Sequence, residues 1–421
     1  MGETAVGRRA PRLARSLPAL TVVVAVVASA VFAFWWFSPW ESFQGPPGAA
    51  PRPLDGVPVK GIARSRTATA PVLVAGMLVE RHGGGVRAVE PRTGRTWWAL
   101  RRPGRVRAST VGAVDGARAA IVWTDRRLTI IDVATGRRRH AELPDRSQDR
   151  TPHGGTSADA AVVGLADRAG HPIAAVIQNR GVDAYDAASG RRLWSWKAPA
   201  HCGFNEPSGA AATAALSLTV GCELAPDARD RPVVDYSAAY TTLLDASSGR
   251  PVPGFARFGR GRLVPVGDHL LLQREESRGY RVVDARTART LWRLPNVRAI
   301  ASGGDGLVVS TTLDGREVSL YRARDGRRLW RYRAEDDRGQ LRHSTVVDGR
   351  VYAVEFDGGA RVVAFGEAGQ VAGRLDLPAA FRRGTPAVIG GGYGTLVVED
   401  VHANPGRKSK ARPYVLLIGA E

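Results

Sequence analysis

The stretch that decides the fold is Val182-Asp183-Ala184-Tyr185-Asp186-Ala187-Ala188-Ser189-Gly190-Arg191-Arg192-Leu193-Trp194. An alternating apolar run reaches Asp186, small residues lead to Gly190, and a second short run contains Trp194. This pattern predicts a strand, a tight turn and a second strand. The Asp186 carboxylate can accept hydrogen bonds from backbone N–H groups of the turn, and Gly190 can take a positive φ without steric cost.

The same unit recurs along the chain, and this recurrence indicates the fold class. Its turn-opening and turn-closing residues are Glu90 and Gly94, Asp132 and Gly136, Asp186 and Gly190, Asp245 and Gly249, Asp284 and Ala288, Arg322 and Gly326, with a shortened seventh unit at Phe365 and Gly369. The closing positions are 42, 54, 59, 39, 38 and 43 residues apart. A period near 40 residues predicts a radial β-repeat, in which neighbouring units stack to bury their sheets.

The Asp-x-x-Thr/Ser-Gly-x-x-x-Trp motifs resemble the pyrroloquinoline-quinone-like (PQQ-like) propeller repeat family over roughly residues 65–421. The resemblance implies an all-β propeller of four-stranded antiparallel blades. It also implies that the recurring Trp packs between adjacent blades, which here concerns Trp98, Trp194, Trp292 and Trp330. The family mixes quinone enzymes with scaffolds that have no catalytic role, among them an envelope-assembly lipoprotein.

Three strands of an eighth unit are predicted at Ala387–Gly390, Thr395–Glu399 and Tyr414–Ile418. The apolar stretch Val57–Ile62 is predicted to pair with Tyr414–Ile418 as the missing fourth strand, because closing the ring protects exposed strand edges. The sequence therefore favours eight blades. Seven blades, with residues 387–421 outside the ring, is the alternative.

A cofactor is not expected from the sequence. By resemblance, quinone-binding members supply a vicinal Cys pair and an Asp/Glu/Asn calcium site. This sequence has no vicinal Cys pair and no acidic cluster that can be matched to the calcium site, and its eight His are not at ligand spacing. We therefore predict no catalytic, cofactor-binding or metal-ligating residue, and a quinone- or metal-dependent dehydrogenase is the alternative function.

The two Cys of the chain, Cys202 and Cys222, are 20 residues apart in the fourth unit. An even pair outside the cytoplasm predicts a disulfide. The third and fourth units are also long, with polar extra segments at 140–155, 203–209 and 225–232. Such segments are either functional loops or tolerated insertions, and we expect them to contact a partner.

The N-terminal region predicts membrane attachment. Leu17–Phe37 is a run of 21 residues without a charge, ending in bulky aromatics, and four Arg precede it. That length spans a bilayer, and the preceding Arg place the N-terminus in the cytoplasm. We predict a cytoplasmic tail at 1–16, a transmembrane helix at 17–40, a linker at 41–56 and an extracellular propeller at 57–421. A cleaved signal peptide is the alternative.

The net charge of +20 favours anionic partners. The tail contributes +3, from four Arg and one Glu, which leaves +17 for the rest of the chain. Nucleic acid is not expected as a partner of an exported domain. The leading hypothesis is a membrane-anchored scaffold that binds a protein or an anionic cell-envelope polymer. A sensor that acts on a separate cytoplasmic chain is a third hypothesis, for which the short tail leaves little room.

Overall fold

The protein is represented by a computed structural model. It describes residues 41–45, 62–67, 71–91, 93–145, 160–178, 180–199, 202–204, 209–212, 214–226, 232–235, 240–255, 263–267, 269–275, 279–302, 306–334, 339–381, 386–392, 395–400 and 414–419. The predicted tail and transmembrane helix, and most of the predicted linker, lie outside these residues. Within the described ranges, no helix is long and apolar enough to cross a membrane.

The described chain is an all-β fold, as the repeats predict. The strands of its first half are β1 (Ser42–Gln44), β2 (Ile62–Thr67), β3 (Val72–Val74), β4 (Met77–His82), β5 (Gly85–Val89), β6 (Thr96–Arg101), β7 (Ala108–Ala113), β8 (Arg118–Trp123), β9 (Arg127–Asp132), β10 (Arg138–Glu142), β11 (Ala161–Ala166), β12 (Pro172–Gln178), β13 (Gly181–Asp186), β14 (Arg192–Lys197), β15 (Gly209–Ala212), β16 (Ala215–Val220), β17 (Glu223–Pro226) and β18 (Pro232–Asp235).

The strands of the second half continue the same pattern. They are β19 (Tyr240–Asp245), β20 (Leu263–Gly267), β21 (Leu270–Glu275), β22 (Gly279–Asp284), β23 (Thr290–Leu294), β24 (Val297–Ser302), β25 (Leu307–Thr312), β26 (Glu317–Arg322), β27 (Arg328–Arg333), β28 (Gln340–Val347), β29 (Arg350–Phe356), β30 (Ala360–Phe365), β31 (Val371–Asp376), β32 (Pro386–Gly392), β33 (Thr395–Asp400) and β34 (Tyr414–Gly419). A short 3-10 helix, Ala379–Phe381, lies between β31 and β32.

Consecutive strands pair antiparallel into small sheets, which are the blades of a β-propeller. The sheets of four consecutive strands are β3–β6, β7–β10, β11–β14, β20–β23, β24–β27 and β28–β31. Middle strands such as β8 and β12 are buried on both faces, and their sequences are continuous apolar runs. The fourth strand β31 alternates between half-buried and exposed residues because it lies at the outer edge.

The core is divided among the spaces between neighbouring sheets. The first strands β3, β7, β11, β15, β20, β24, β28 and β32 each contact the next, and β32 contacts β3. One cluster joins Ile130 of the second sheet to Tyr185 of the third, and another joins Leu320 of the sixth sheet to Phe365 of the seventh. Each sheet is therefore stabilised mainly by its neighbours.

The last sheet is completed by an N-terminal strand, as predicted, but the strand lies five residues later than predicted. β2 pairs with β34, with Ile62 opposite Ile418 and Thr67 opposite Tyr414. Residues 57–61 of the predicted strand lie outside the described residues. The bounds of β2 were not predictable because its sequence is mostly polar. An outermost strand is held by backbone pairing and does not need apolar residues on both faces.

Two sheets depart from the simple pattern. The first gains a fifth strand, since β1 pairs with β6 and places Ser42 opposite Arg101. The linker predicted at 41–56 did not anticipate this strand. In the fourth sheet, β16 pairs with β19 across an inserted β17–β18 hairpin. Among the described residues, this sheet has no full fourth strand. Residues after the turn pair with β19 only through the Leu244–Pro251 bridge and a hydrogen bond of 2.8 Å from the Val252 N–H to the Leu243 carbonyl.

Because the strands alternate in direction, the blades have two distinct ends. We call one end the turn face; it carries the turns after the third strands, such as Asp132–Gly136 and Asp186–Gly190. The opposite end carries the connections between sheets and the turns between second and third strands. We call it the insertion face, and it includes residues 102–107, 124–126 and the β17–β18 hairpin.

Candidate functional site

The repeated turns are closed by the hydrogen bonds that their sequence predicts. Asp186 Oδ1 accepts the Ser189 N–H at 2.7 Å and the Ser189 hydroxyl at 2.6 Å. The Gly190 N–H donates to the Asp186 carbonyl at 2.8 Å, with a φ of 77° at Gly190. The Ser189 hydroxyl is the main cause that lowers the pKa of Asp186 below its ordinary value. Asp132, Asp245 and Asp284 accept turn N–H groups in the same way.

Four of the repeated turns are contacted by a recurring Trp of the preceding sheet. The Trp194 indole N–H donates to the Ala246 carbonyl at 2.6 Å, and a Cβ at Gly249 would lie 2.5 Å from the Trp194 ring. Trp98 donates in the same way to the Val133 carbonyl, and Trp292 donates to the Ala323 carbonyl and also lies against Gly326. The ring of Trp330 lies against Gly369. These side chains lie between sheets around the ring and are not gathered at one place.

The predicted disulfide between Cys202 and Cys222 is confirmed. Cys202 follows the third sheet and Cys222 follows β16 of the fourth, so the bond joins two neighbouring sheets at the insertion face. Cys202 is buried, with 4% of its surface exposed. The bond belongs to the hydrophobic cluster between these two sheets, which also contains Phe204.

The segment around Cys202 is held by further contacts that the sequence did not reveal. The Arg180 Nε donates to the Cys202 carbonyl at 2.6 Å, and the Arg180 Nη2 donates to the Pro199 carbonyl. Gly203 and Gly221 exchange backbone hydrogen bonds of 2.9 and 3.1 Å. The ring of Phe204 lies 6.2 Å from that of Trp196. An Arg in a turn carries no sequence signal for this role, so Arg180 was missed.

The β17–β18 hairpin follows Cys222 directly. Glu223 pairs with Asp235, and Pro226 pairs with Pro232. The hairpin forms a two-stranded sheet of its own, separate from the sheet into which it is inserted. The disulfide, Arg180 and the glycine bridge therefore hold the base of an inserted hairpin on the insertion face. This arrangement is the candidate functional site, and it is suited to presenting a fixed surface to a partner.

A cleft lies on the turn face between the second and third sheets. Arg118, Arg137, Arg138, Arg139 and Asp132 line it, together with Ala187 and Ala188 of the third sheet. Three of these Arg already have partners. Arg118 pairs with Asp115, Arg138 pairs with Glu41, and Arg139 donates to the Ala188 carbonyl.

No cluster of three or more His, Cys, Asp or Glu side chains that could hold a metal ion occurs in the described part of the chain. His171 is paired with Asp167 at 2.9 Å, and His269 lies 3.4 Å from Asp284. These contacts cap turns of the third and fifth units. His153, His201 and His402 lie outside the described residues.

A family model described as "Outer membrane protein assembly factor BamB" matches residues 60–252 and, in a second overlapping match, residues 178–402. Among solved structures, BamB from Moraxella catarrhalis is similar at 17% identity, with a TM-score of 0.48 over 85% of this chain and 98% of that one. The quinohemoprotein alcohol dehydrogenase from Comamonas testosteroni is similar at 14% identity, with a TM-score of 0.44 over 86% of this chain and 77% of that one. No curated protein matches the sequence.

Proposed function

The chain belongs to the PQQ-like β-propeller repeat family, whose matching model is described as BamB, and from that premise we propose that it is a scaffold without catalytic activity. Its role is to bind a protein or an anionic polymer of the cell envelope. The family model supports this, because it is named for an assembly factor. The charge of +20 supports an anionic partner.

The observation that carries the proposal is the pinned base of the β17–β18 hairpin. A surface that is already fixed before binding loses less conformational entropy when the partner binds. The Cys202–Cys222 bond and the Arg180 hydrogen bonds fix this base. We therefore place the partner at the insertion face beside the fourth sheet.

The test is site-specific photo-crosslinking in intact cells. A photoreactive residue is placed at Ala225 or Val233 of the hairpin, and as matched controls at Thr287 on the turn face or Gly358 on another insertion-face turn. We expect a discrete adduct from the hairpin positions alone, identified by mass spectrometry after pull-down. Adducts of equal yield at all four positions would show that the hairpin is not the binding surface.

We also propose that the propeller has eight blades and is held at the outer face of a cell membrane by residues 17–40. The contacts of β32 with both β28 and β3 support the blade number. The uncharged run Leu17–Phe37 with its preceding Arg supports the anchor and its orientation. Protease added to intact spheroplasts is expected to release the propeller, and a C-terminal tag that stays protected until lysis would contradict the orientation.

The alternative within the same family is a quinone- or metal-dependent dehydrogenase. The purified full chain separates the two functions, because a bound quinone absorbs visible light and a bound metal is found by elemental analysis. The scaffold function predicts neither signal. A stoichiometric quinone or metal would overturn the scaffold proposal.

A further inference from the structure

The N-terminal end of the described chain is fixed against the rim of the first two sheets. β1 pairs with β6 through Ser42, Phe43 and Gln44. The Arg138 Nη1 donates to Glu41 Oε1 at 2.6 Å, and the Arg138 guanidinium lies 4.1 Å from the centre of the Phe43 ring. Glu41 also lies within 4.0 Å of Arg102. The chain therefore leaves the propeller at a defined corner.

That corner is close to the proposed anchor. Phe37 is the last residue of the apolar segment Leu17–Phe37, and Ser42 begins β1 five residue steps later. Five steps of extended chain span at most about 18 Å. Since Ser42 is opposite Arg101, the last residue of β6, an anchor at residues 17–40 would bring residues 102–107 of the insertion face close to the bilayer.

The insertion face is strongly basic at this corner. Arg101, Arg105 and Arg107 are exposed and have no ion pair among the described residues. The neighbouring β8–β9 turn adds two more exposed Arg: Arg126 pairs with Asp145 at 2.6 Å, and Arg127 lies 3.8 Å from Asp125. We call these five side chains the Arg corner: Arg101, Arg105, Arg107, Arg126 and Arg127.

We propose that the Arg corner binds the phosphate groups of anionic phospholipids in the bilayer that holds the anchor. This inference rests on the anchoring part of the proposed function. Guanidinium groups match phosphate oxygens with paired hydrogen bonds. Exposed Arg near an anionic membrane are attracted over about one Debye length, so the contact weakens in salt. The corner thereby sets which part of the propeller faces the membrane.

The test measures hydrogen exchange in the full chain reconstituted into vesicles of phosphatidylcholine, with or without an equal share of phosphatidylglycerol. We expect the amides of residues 102, 104–107 and 124–127 to exchange more slowly, by up to about fivefold, in the vesicles with phosphatidylglycerol, and we expect high salt to remove the difference. The variant Arg105→Glu/Arg107→Glu is expected to lose this slowing. The matched variant Arg137→Glu/Arg289→Glu reverses two charges on the turn face and is expected to keep it.

Each other outcome overturns the proposal in a distinguishable way. Equal exchange in the two vesicles, with the protein floating with both after an alkaline wash, overturns the Arg corner and leaves the anchor in place. Failure to float with either vesicle overturns the anchor and, with it, the inference. Equal slowing by inorganic phosphate without vesicles assigns the corner to free phosphate and overturns the lipid contact.

Discussion

At the scale of the residue, packing between sheets depends on a glycine that has no Cβ. Gly249 has a φ of 67°, and the space that a Cβ would take there is filled by the Trp194 ring. The Asp-x-x-Ser-Gly-x-x-x-Trp pattern therefore encodes two contacts: the turn within one sheet, and the seat for the Trp of the preceding sheet. The turn was predictable from its Asp and Gly. The contact with the Trp ring was not predictable, because it depends on how the neighbouring sheet packs.

Gly249→Ala is expected to destabilise the protein for two reasons. A positive φ costs an L-residue about 1–2 kcal/mol, and overpacking against the indole adds about 1–3 kcal/mol. Gly358→Ala is the matched control, since Gly358 has a φ of 62° and nothing within 4 Å of the added Cβ. Denaturant unfolding should show a clearly larger loss for Gly249→Ala. Equal losses would mean that the Trp194 contact contributes nothing.

At the scale of the element, sequence patterns located the strands with buried faces and missed those without. β8 and β29 contain continuous apolar runs, and runs of this kind predict buried strands. β1 and β2 lie at the outer edges of their sheets and are held by backbone pairing, so their side chains carry little signal. The loop predicted at 225–232 lies inside the β17–β18 hairpin, whose strands Glu223–Pro226 and Pro232–Asp235 were not predicted. The disulfide beside it was predicted, because the chain has two Cys and was expected to be exported.

Reduction of the disulfide is expected to loosen the base of the inserted hairpin. The bond closes a loop of 20 residues, which corresponds to about 3 kcal/mol in the chain-entropy model. Trypsin should then cleave at Lys197 faster in the reduced protein than in the oxidised protein. The variant Cys202→Ser/Cys222→Ser serves as the control, because reductant should not change its cleavage rate. A reductant-independent rate in the wild type would contradict this role.

At the scale of the whole molecule, stability is distributed among interfaces between sheets. Buried clusters join each sheet to the next, and β2 joins the two ends of the chain. The family and the all-β architecture were predictable because the turn motif occurs seven times along the chain, the last time in shortened form. The Arg corner and the fixed base of the hairpin were not, because each brings together residues of separate strand connections whose closeness only the folded sheets determine.

Removal of β2 is expected to destabilise the propeller. A chain that begins at Ala68 lacks the strand, whereas one that begins at Pro51 keeps it. Each ladder hydrogen bond is worth about 1 kcal/mol, and several are lost together. The shorter chain should melt at a lower temperature or aggregate through the edge of β34. A chain that begins at Glu41 isolates the added effect of β1, and equal melting of the Pro51 and Ala68 chains would refute closure by β2.

The pairing of β2 with β34 also sets an order of events in time. A chain emerging from the ribosome makes β2 among its first strands and β34 only after every other described strand. Non-local pairing of this kind is slow, because a long loop must close before any contact forms. The earlier sheets can assemble while β2 waits without its partner. The final sheet is therefore the last to form: a chain truncated before Tyr414 leaves β2 without its pairing strand and with an exposed edge.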